Sequence, residues 1–293
     1  MDGVHGAGRP ENGTLYVVAT SIGNLEDITL RALKVLAQVD VIAAEDTRNT
    51  AILLARHAIG KRAVALHEHN EAKMAGSVVQ WLREGRSVAL VSDAGTPGLS
   101  DPGALVAARA LEAGLRVVPV PGPNAAVCAF SASGIAEGRF LFYGYLPARS
   151  SARRTAIAGL AHLECALIFY EAPHRILECI DDLCAGLAHG RTLVIARELT
   201  KVYESIASMP LTEAPAWVRA DVNRQRGELV IIVSGAHKSD RKTRAGWEPM
   251  LDALLTELPL AQAVRLTCAA TGARRKAVYE RALDVAAAMN TKE

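Results

Sequence analysis

The sequence predicts two α/β domains in succession, followed by a small helical module. Three observations predict this. Short apolar runs alternate with amphipathic helical segments from Leu15 to Val233. Polar, Gly- and Pro-bearing loops follow the ends of most runs. The tail, 258–293, shows helical periodicity on either side of Thr271-Gly272 and no strand-like run.

In order, residues 1–13, rich in Gly with Pro10 and Asn12, read as a disordered leader. Residues 14–134 read as the first α/β domain. Its strands are Leu15–Ala19, Val39–Ala44, Val64–Leu66, Val88–Val91 and Arg116–Val120, and helices intervene. The polar clusters Thr20–Asn24, Glu45–Arg48, His67–Asn70, Asp93–Asp101 and Pro121–Asn124 follow these runs. In an open α/β sheet, such loops gather along one edge, where ligands bind. The loop from Ser92 to Gly103 is the richest, because its glycines and prolines fix a shape and let a ligand approach the backbone. Residues 135–236 read as the second α/β domain, with strands Leu141–Tyr145, Ala166–Tyr170, Leu193–Ala196 and Gly227–Val233. Pro147 starts a basic linker with Arg149, Arg153 and Arg154, and a helix at 152–162 follows. Residues 237–257 read as an interdomain linker. In the module at 258–293, Leu260, Ala263, Val264 and Thr267 mark one helix, and Val278, Leu283 and Val285 mark a second that starts in Arg274-Arg-Lys276. A short helix, a Gly turn and a basic second helix suit a helix-turn-helix-type nucleic-acid module.

Composition narrows the function classes. Half of the 293 residues are apolar and the net charge is only +2, so no global field announces a polyanionic partner. The five cysteines form no CxxC pair and read as reduced thiols. No apolar run approaches ~18 residues, so no membrane span is expected, and the cytoplasm is the default location. Neither GxGxxG nor GxxxxGK[ST] occurs, which argues against nicotinamide and P-loop chemistry. His67 and His69 flank Glu68, but side chains two residues apart diverge, so no metal site is expected.

Several long motifs then resemble one superfamily. They are Leu15–Leu33, Ala43–Arg48, Leu66–Glu71, the Ser92–Gly103 loop, Pro119–Ala125, Phe169–Arg175, Arg197–Lys201 and Gly227-Glu228. Together they are similar to the tetrapyrrole methylases, and more closely to their ribosomal-RNA branch, the 16S rRNA (cytidine-2′-O)-methyltransferases. Ser21 departs from the pattern, since the family usually has proline there. The resemblance implies two α/β domains with S-adenosyl-L-methionine in the cleft between them. It implies 16S rRNA as partner, within the 30S subunit, and a homodimer. Carried over by motif, the cofactor contacts are Ile22, Asp93, Ala94, Gly95, Thr96, Pro97, Leu99, Ser100, Asn124, Ala125, Tyr170, Ala172 and Gly227.

A ribose hydroxyl is a weak nucleophile and profits from a base. Asp46, Glu198 and Lys201 are the candidates, with Lys201 able to act only if its pKa is lowered. Arg48, Asn70, Arg175 and Arg197, with Arg274, Arg275 and Lys276 of the tail, are the expected RNA contacts. Two alternatives remain open at this level: a small-molecule (tetrapyrrole) methyltransferase, and a non-catalytic nucleic-acid-binding regulator.

Overall fold

The computed structural model describes residues 11–236 and 247–290, the last five of these as backbone only. Most of the expected leader, the first ten residues of the expected linker and the last three residues lie outside the described residues. The chain divides into two compact units, Met1–Gly235 and Ala236–Glu293.

The larger unit contains two five-stranded sheets. The first is wholly parallel, in the order β3-β2-β4-β1-β5, with β1 Thr14–Val18, β2 Val41–Ala44, β3 Ala63–Ala65, β4 Val88–Val91 and β5 Arg116–Val120. Helices lie on both faces, so the central strands are apolar throughout rather than alternating. Successive residues still point to opposite faces. Tyr16, Ile42, Ala44, Ala89 and Val91 pack against α1 (Leu30–Gln38) and α2 (Thr47–Arg56). Leu15, Val41, Ala43, Val88 and Leu90 pack against α3 (Glu71–Arg83) and α4 (Ala104–Glu112). Helix starts are set by side chains that accept free backbone N–H groups: Thr29 for α1, Asp46 for α2 and Asn124 for α5 (Ala125–Ala132).

The second sheet is mixed, in the order β6-β7-β10-β8-β9. Only β6 (Phe140–Tyr145) and β7 (Ala166–Glu171) run parallel; β10 (Leu229–Val233), β8 (Thr192–Arg197) and β9 (Ser205–Pro210) pair antiparallel. One face carries Leu167, Phe169, Leu193, Ile195 and Ile231 against α6 (Ser150–Leu160), α7 (Ile176–Gly186) and α8 (Ala214–Arg219). The other carries Ile168, Val194, Ala196 and Val230 and is covered by Ala126 and Ala129 of α5 together with Ile22 and Leu199. Helix α5 and the β1 loop thus join the two sheets into one core.

The structure departs from the sequence reading at four points. Strand β9 was not anticipated, because Ser-Ile-Ala-Ser-Met-Pro buries only Met209 and depends on its ladder to β8 rather than on apolar periodicity. Arg153 is no linker residue: it lies 1% exposed inside α6, held by Asp182. In the smaller unit, Glu248–Glu257, drawn as linker, form helix α9, with Leu251 fully buried and Leu254 and Leu255 packed beside it. Helices α10 (Leu260–Thr271) and α11 (Arg275–Asn290) complete that unit around Ala263, Val264, Val278 and Ala282. Gly272 makes the turn in the left-handed conformation, φ +67°. Leu283, expected in the buried stripe, is exposed, and Ala282 takes its place.

Candidate active site

The loops after β1, β4 and β5 meet the ends of β7, β8 and β10 around a cavity of about 280 Å³. That lies near the lower end of the usual ~300–1,000 Å³ for small-molecule sites. The β1 and β4 loops are zipped together. The Thr20 N–H donates to the Gly95 carbonyl at 2.8 Å, the Gly95 N–H returns to the Ser21 carbonyl at 3.4 Å, and the Thr20 hydroxyl reaches the Ser92 carbonyl at 3.3 Å. The Ser21 turn is therefore held by its neighbours without proline. The Thr96 hydroxyl ties the β4 loop to the Pro123 carbonyl at 3.2 Å. Within this loop Ser100 adopts φ +67°, a conformation that L-residues seldom hold. Gly103 closes it at φ +129°, where a Cβ would sit 2.8 Å from Leu90 Cδ2. Across the cavity, the Tyr170 hydroxyl accepts the Ala126 N–H at 3.2 Å and fixes the start of α5. Tyr145 stacks edge-on against Tyr170 with ring centres 5.7 Å apart.

Ten of the residues expected to contact a cofactor line this cavity: Ile22, Ala94, Gly95, Thr96, Leu99, Ser100, Asn124, Ala125, Tyr170 and Ala172. Asp93, Pro97 and Gly227 do not. Asp93 lines an adjoining groove. Pro97 is buried beneath its loop, 3.5 Å from the Cβ position of Gly103. Gly227 supports Glu198 instead: at φ +81°, its Cβ position falls 2.5 Å from Glu198 Cγ and Cδ. Gly227→Ala is expected to destabilise the fold by about 1–3 kcal/mol, from the left-handed backbone and the displaced carboxylate together. A thermal melt with a fall of less than ~2 °C would count against it.

Asp101, a carboxylate that the β4 loop was expected to offer to a ligand, also lines the cavity, and Tyr145, Glu171, Pro173, Ala196, Leu199, Glu228, Leu229 and Val230, which sequence reasoning did not assign, complete the lining. Strand-end position was a usable signal for Tyr145 and Glu171. Ala196 and Val230 carry none, since their sequence context is that of ordinary core strand. Glu171 accepts the Ala172 N–H at 2.8 Å and pairs with Arg175 at 3.2 Å, which shapes the end of β7.

The electrostatics are acidic. Burial, then the charges of Glu45 and Asp93, push the Asp101 carboxyl up to about 6. Glu45 is also raised, by burial first and by the neighbouring carboxylates. Asp93 Oδ1 accepts the Asp46 N–H at 2.9 Å, and Oδ2 accepts from Asn49 at 2.9 Å.

The three expected bases behave differently from that expectation. Asp46 caps α2 and holds Arg48 through both carboxylate oxygens, which lowers its pKa to about 2. That makes it a weak base. The Glu228 N–H, at 2.8 Å, holds Glu198 in its ionised form, and Lys201 assists. Burial opposes the charge on Lys201, but its contacts with Glu198 and Glu228, both 3.1 Å, outweigh burial and raise its pKa. The condition set for Lys201 as a base is therefore not met.

Of the expected RNA contacts, Arg175 is committed to Glu171 and the Leu146 carbonyl. Arg197 is committed to Ser205 and the Tyr203 carbonyl, and the Asn70 amide to the His67 N–H and Ala65 carbonyl. Arg48 keeps 87% of its side chain exposed. Arg274, Arg275 and Lys276 are exposed at the start of α11.

Two α/β lobes with a pocket at their facing strand ends define the class of the tetrapyrrole (corrin/porphyrin) methylases, whose family model matches residues 14–215. The model of the RsmI C-terminal HTH domain matches residues 245–286. A solved uroporphyrin-III C-methyltransferase from Thermus thermophilus, complexed with S-adenyl homocysteine, shares the fold at TM-score 0.54 and 18% identity, over 78% of this chain and 97% of that one. The ribosomal RNA small subunit methyltransferase I of Escherichia coli O157:H7 is 46% identical over 96% of this chain and 98% of its own length. Its counterpart in Xylella fastidiosa Temecula1 is 47% identical over 91% and 98%. The chain belongs to the ribosomal RNA small subunit methyltransferase I family.

Proposed function

We propose that the protein transfers a methyl group from S-adenosyl-L-methionine to the ribose 2′-hydroxyl of a cytidine in the decoding region of 16S rRNA. In this reading it works in the cytoplasm as a homodimer on the 30S subunit. The observation that carries the reading is near full-length similarity, 46% over 96% of the chain, to a relative with that rRNA small-subunit name.

The residues of the pocket fit this donor. Asp101, backed by Glu45 and Asp93, presents an anionic wall to a cationic ligand. Ile22, Leu199, Leu229 and Val230 offer apolar surface, and Tyr145 and Tyr170 offer ring faces. When bound, the donor supplies a sulfonium whose methyl is electrophilic without a metal. The chain's own contribution is alignment: the interlocked β1 and β4 loops fix one wall, and Tyr170 fixes α5 opposite, so that a hydroxyl can approach in line. Glu198 and Lys201 support this frame rather than take a proton. Arg48 and the cluster Arg274, Arg275 and Lys276 serve as phosphate contacts. The latter sit at a helix N-terminus, where backbone N–H groups favour anions.

The test is methyl transfer from labelled donor to 30S subunits and to naked 16S rRNA, with the modified nucleoside identified by mass. Label in 2′-O-methylcytidine at a single site is the expected result. Label on a base overturns the 2′-O assignment, and donor binding without transfer to RNA overturns the RNA reading and favours a small-molecule methyltransferase.

A further inference from the structure

A second groove opens beside the pocket, at the carboxyl ends of β1 and β4 and along the first turns of α2. It encloses about 250 Å³ and shares Ile22, Ala94 and Glu228 with the pocket. The groove and the pocket are therefore neighbours, with these three residues common to both walls.

The two compartments differ in chemistry. The groove has apolar surface from Leu25, Ile52 and Leu53, and polar groups from Ser21, Asn49 and Asp93. Ile52 is 63% exposed at the lip of the groove and offers an apolar surface on which a base can rest. Asp93 is exposed and held in place by two hydrogen bonds, one to each oxygen. Each oxygen retains a further lone pair for a ligand N–H. Arg48 stands one residue before Asn49 on the same helix turn, largely exposed, where a backbone phosphate can reach it.

We infer that this groove is the subsite of the acceptor nucleotide, with the Asp93–Asn49 pair facing the edge of its base and the ribose at the Ile22–Ala94 junction. The inference rests on the methyl-transfer reading above and specifies where the RNA enters it. A carboxylate accepts from the exocyclic amine of cytosine, whereas the carbonyl of uracil at that position would meet a negative charge. The pair therefore selects an amino base. A hydroxyl at the junction of the two cavities would stand beside the donor pocket, as transfer between neighbouring ligands requires. Asp93, which motif resemblance assigned to the donor, thus belongs to the acceptor side.

The test uses the full chain with 30S subunits as substrate. Ile52→Trp fills the lip of the groove, Asn49→Ala loosens Asp93, and Asp93→Asn removes the charge that discriminates. Donor affinity, measured by calorimetry, should stay within about twofold of wild type for Ile52→Trp and Asn49→Ala. The kcat/KM for RNA should fall about 10- to 100-fold, the range of a lost base or stacking contact. With subunits reconstituted to carry uridine at the target, Asp93→Asn should narrow the cytidine-to-uridine preference by about tenfold or more. Wild-type transfer rates in Ile52→Trp, or an unchanged base preference in Asp93→Asn, would overturn the inference. So would loss of donor affinity in parallel with transfer, since the groove would then be part of the donor pocket. A wild-type protein that binds donor but never methylates RNA overturns the functional reading itself, and is told apart because it needs no variant.

Discussion

Asp101→Asn is expected to weaken S-adenosyl-L-methionine binding by about 30-fold or more while making the ligand-free protein more stable. The first effect follows from removing the anion that faces a cationic ligand in a partly desolvated site, which costs about 2 kcal/mol or more. The second follows from the same residue's environment. Burial and the charges of Glu45 and Asp93 raise its carboxyl to about 6 from an ordinary 3.8. The native state therefore binds more protons than the unfolded chain between about pH 4 and 6, and wild-type stability falls as pH rises through that window. Asparagine has no charge to desolvate. With the shift discounted for solvent screening, the gain above pH 6 is about 1–2 kcal/mol, or roughly 2–8 °C in Tm. Donor affinity in the wild type should move the opposite way, rising as pH passes 6 and the carboxyl ionises. Melts and calorimetric titrations at pH 5 and 7.5 check both. Equal donor affinity in wild type and variant at pH 7.5 would remove Asp101 from the binding argument.

That combination, stability surrendered where ligand binds, recurs around the site. Ser100 holds a left-handed backbone directly before Asp101, and Glu198 and Thr200 do the same in the loop opposite, at φ +51° and +64°. Such conformations persist only where the surroundings over-determine them. Here the Thr200 N–H donates to Glu204 at 2.6 Å, and its hydroxyl accepts the Asn24 N–H at 3.0 Å, so the strained loop also bridges the two lobes.

The pocket was legible in sequence to the extent that strand ends were legible. Parallel strands buried on both faces, such as Val88–Val91, are unmistakable apolar runs, and the Gly- and Pro-rich loops that follow mark the edge where ligands sit. What sequence could not resolve was which polar residue faces the cavity and which faces a neighbour. Asp46 and Asp93 both follow a strand, yet one caps a helix and the other lines a groove. Arg175 and Arg197 read as cations free for RNA, because their partners Glu171 and the Tyr203 carbonyl become partners only through the local fold. The same blindness hid β9, an edge strand without an apolar face, and placed Arg153 in a linker.

Asp182→Ala should be among the most destabilising single substitutions in the larger unit, at about 3–5 kcal/mol. Asp182 is 4% exposed on α7 and gathers three donors from α6: Arg153 Nε at 2.7 Å, Arg154 Nε at 2.6 Å and the Ser150 hydroxyl at 3.2 Å. Burial disfavours its charge, but these hydrogen bonds outweigh burial and hold its carboxyl below the usual range. Its stabilising contribution is therefore present at neutral pH and lost as pH falls below the ordinary carboxylate range. Without it, Arg153 keeps the Ala148 carbonyl at 3.2 Å and Glu178 at 3.3 Å, and the latter is 73% exposed and screened. A buried cation left so poorly countered is the origin of the large cost. The expected fall in Tm is about 6–20 °C. Because α6 and α7 cover the sheet face opposite α5, donor affinity below the transition should stay within about twofold of wild type. Removing both charges, as in Arg153→Met with Asp182→Leu, should cost less than Asp182→Ala alone, since no unpaired charge then remains inside. A double variant as unstable as the single one would place the cost in packing between the helices rather than in the stranded arginine.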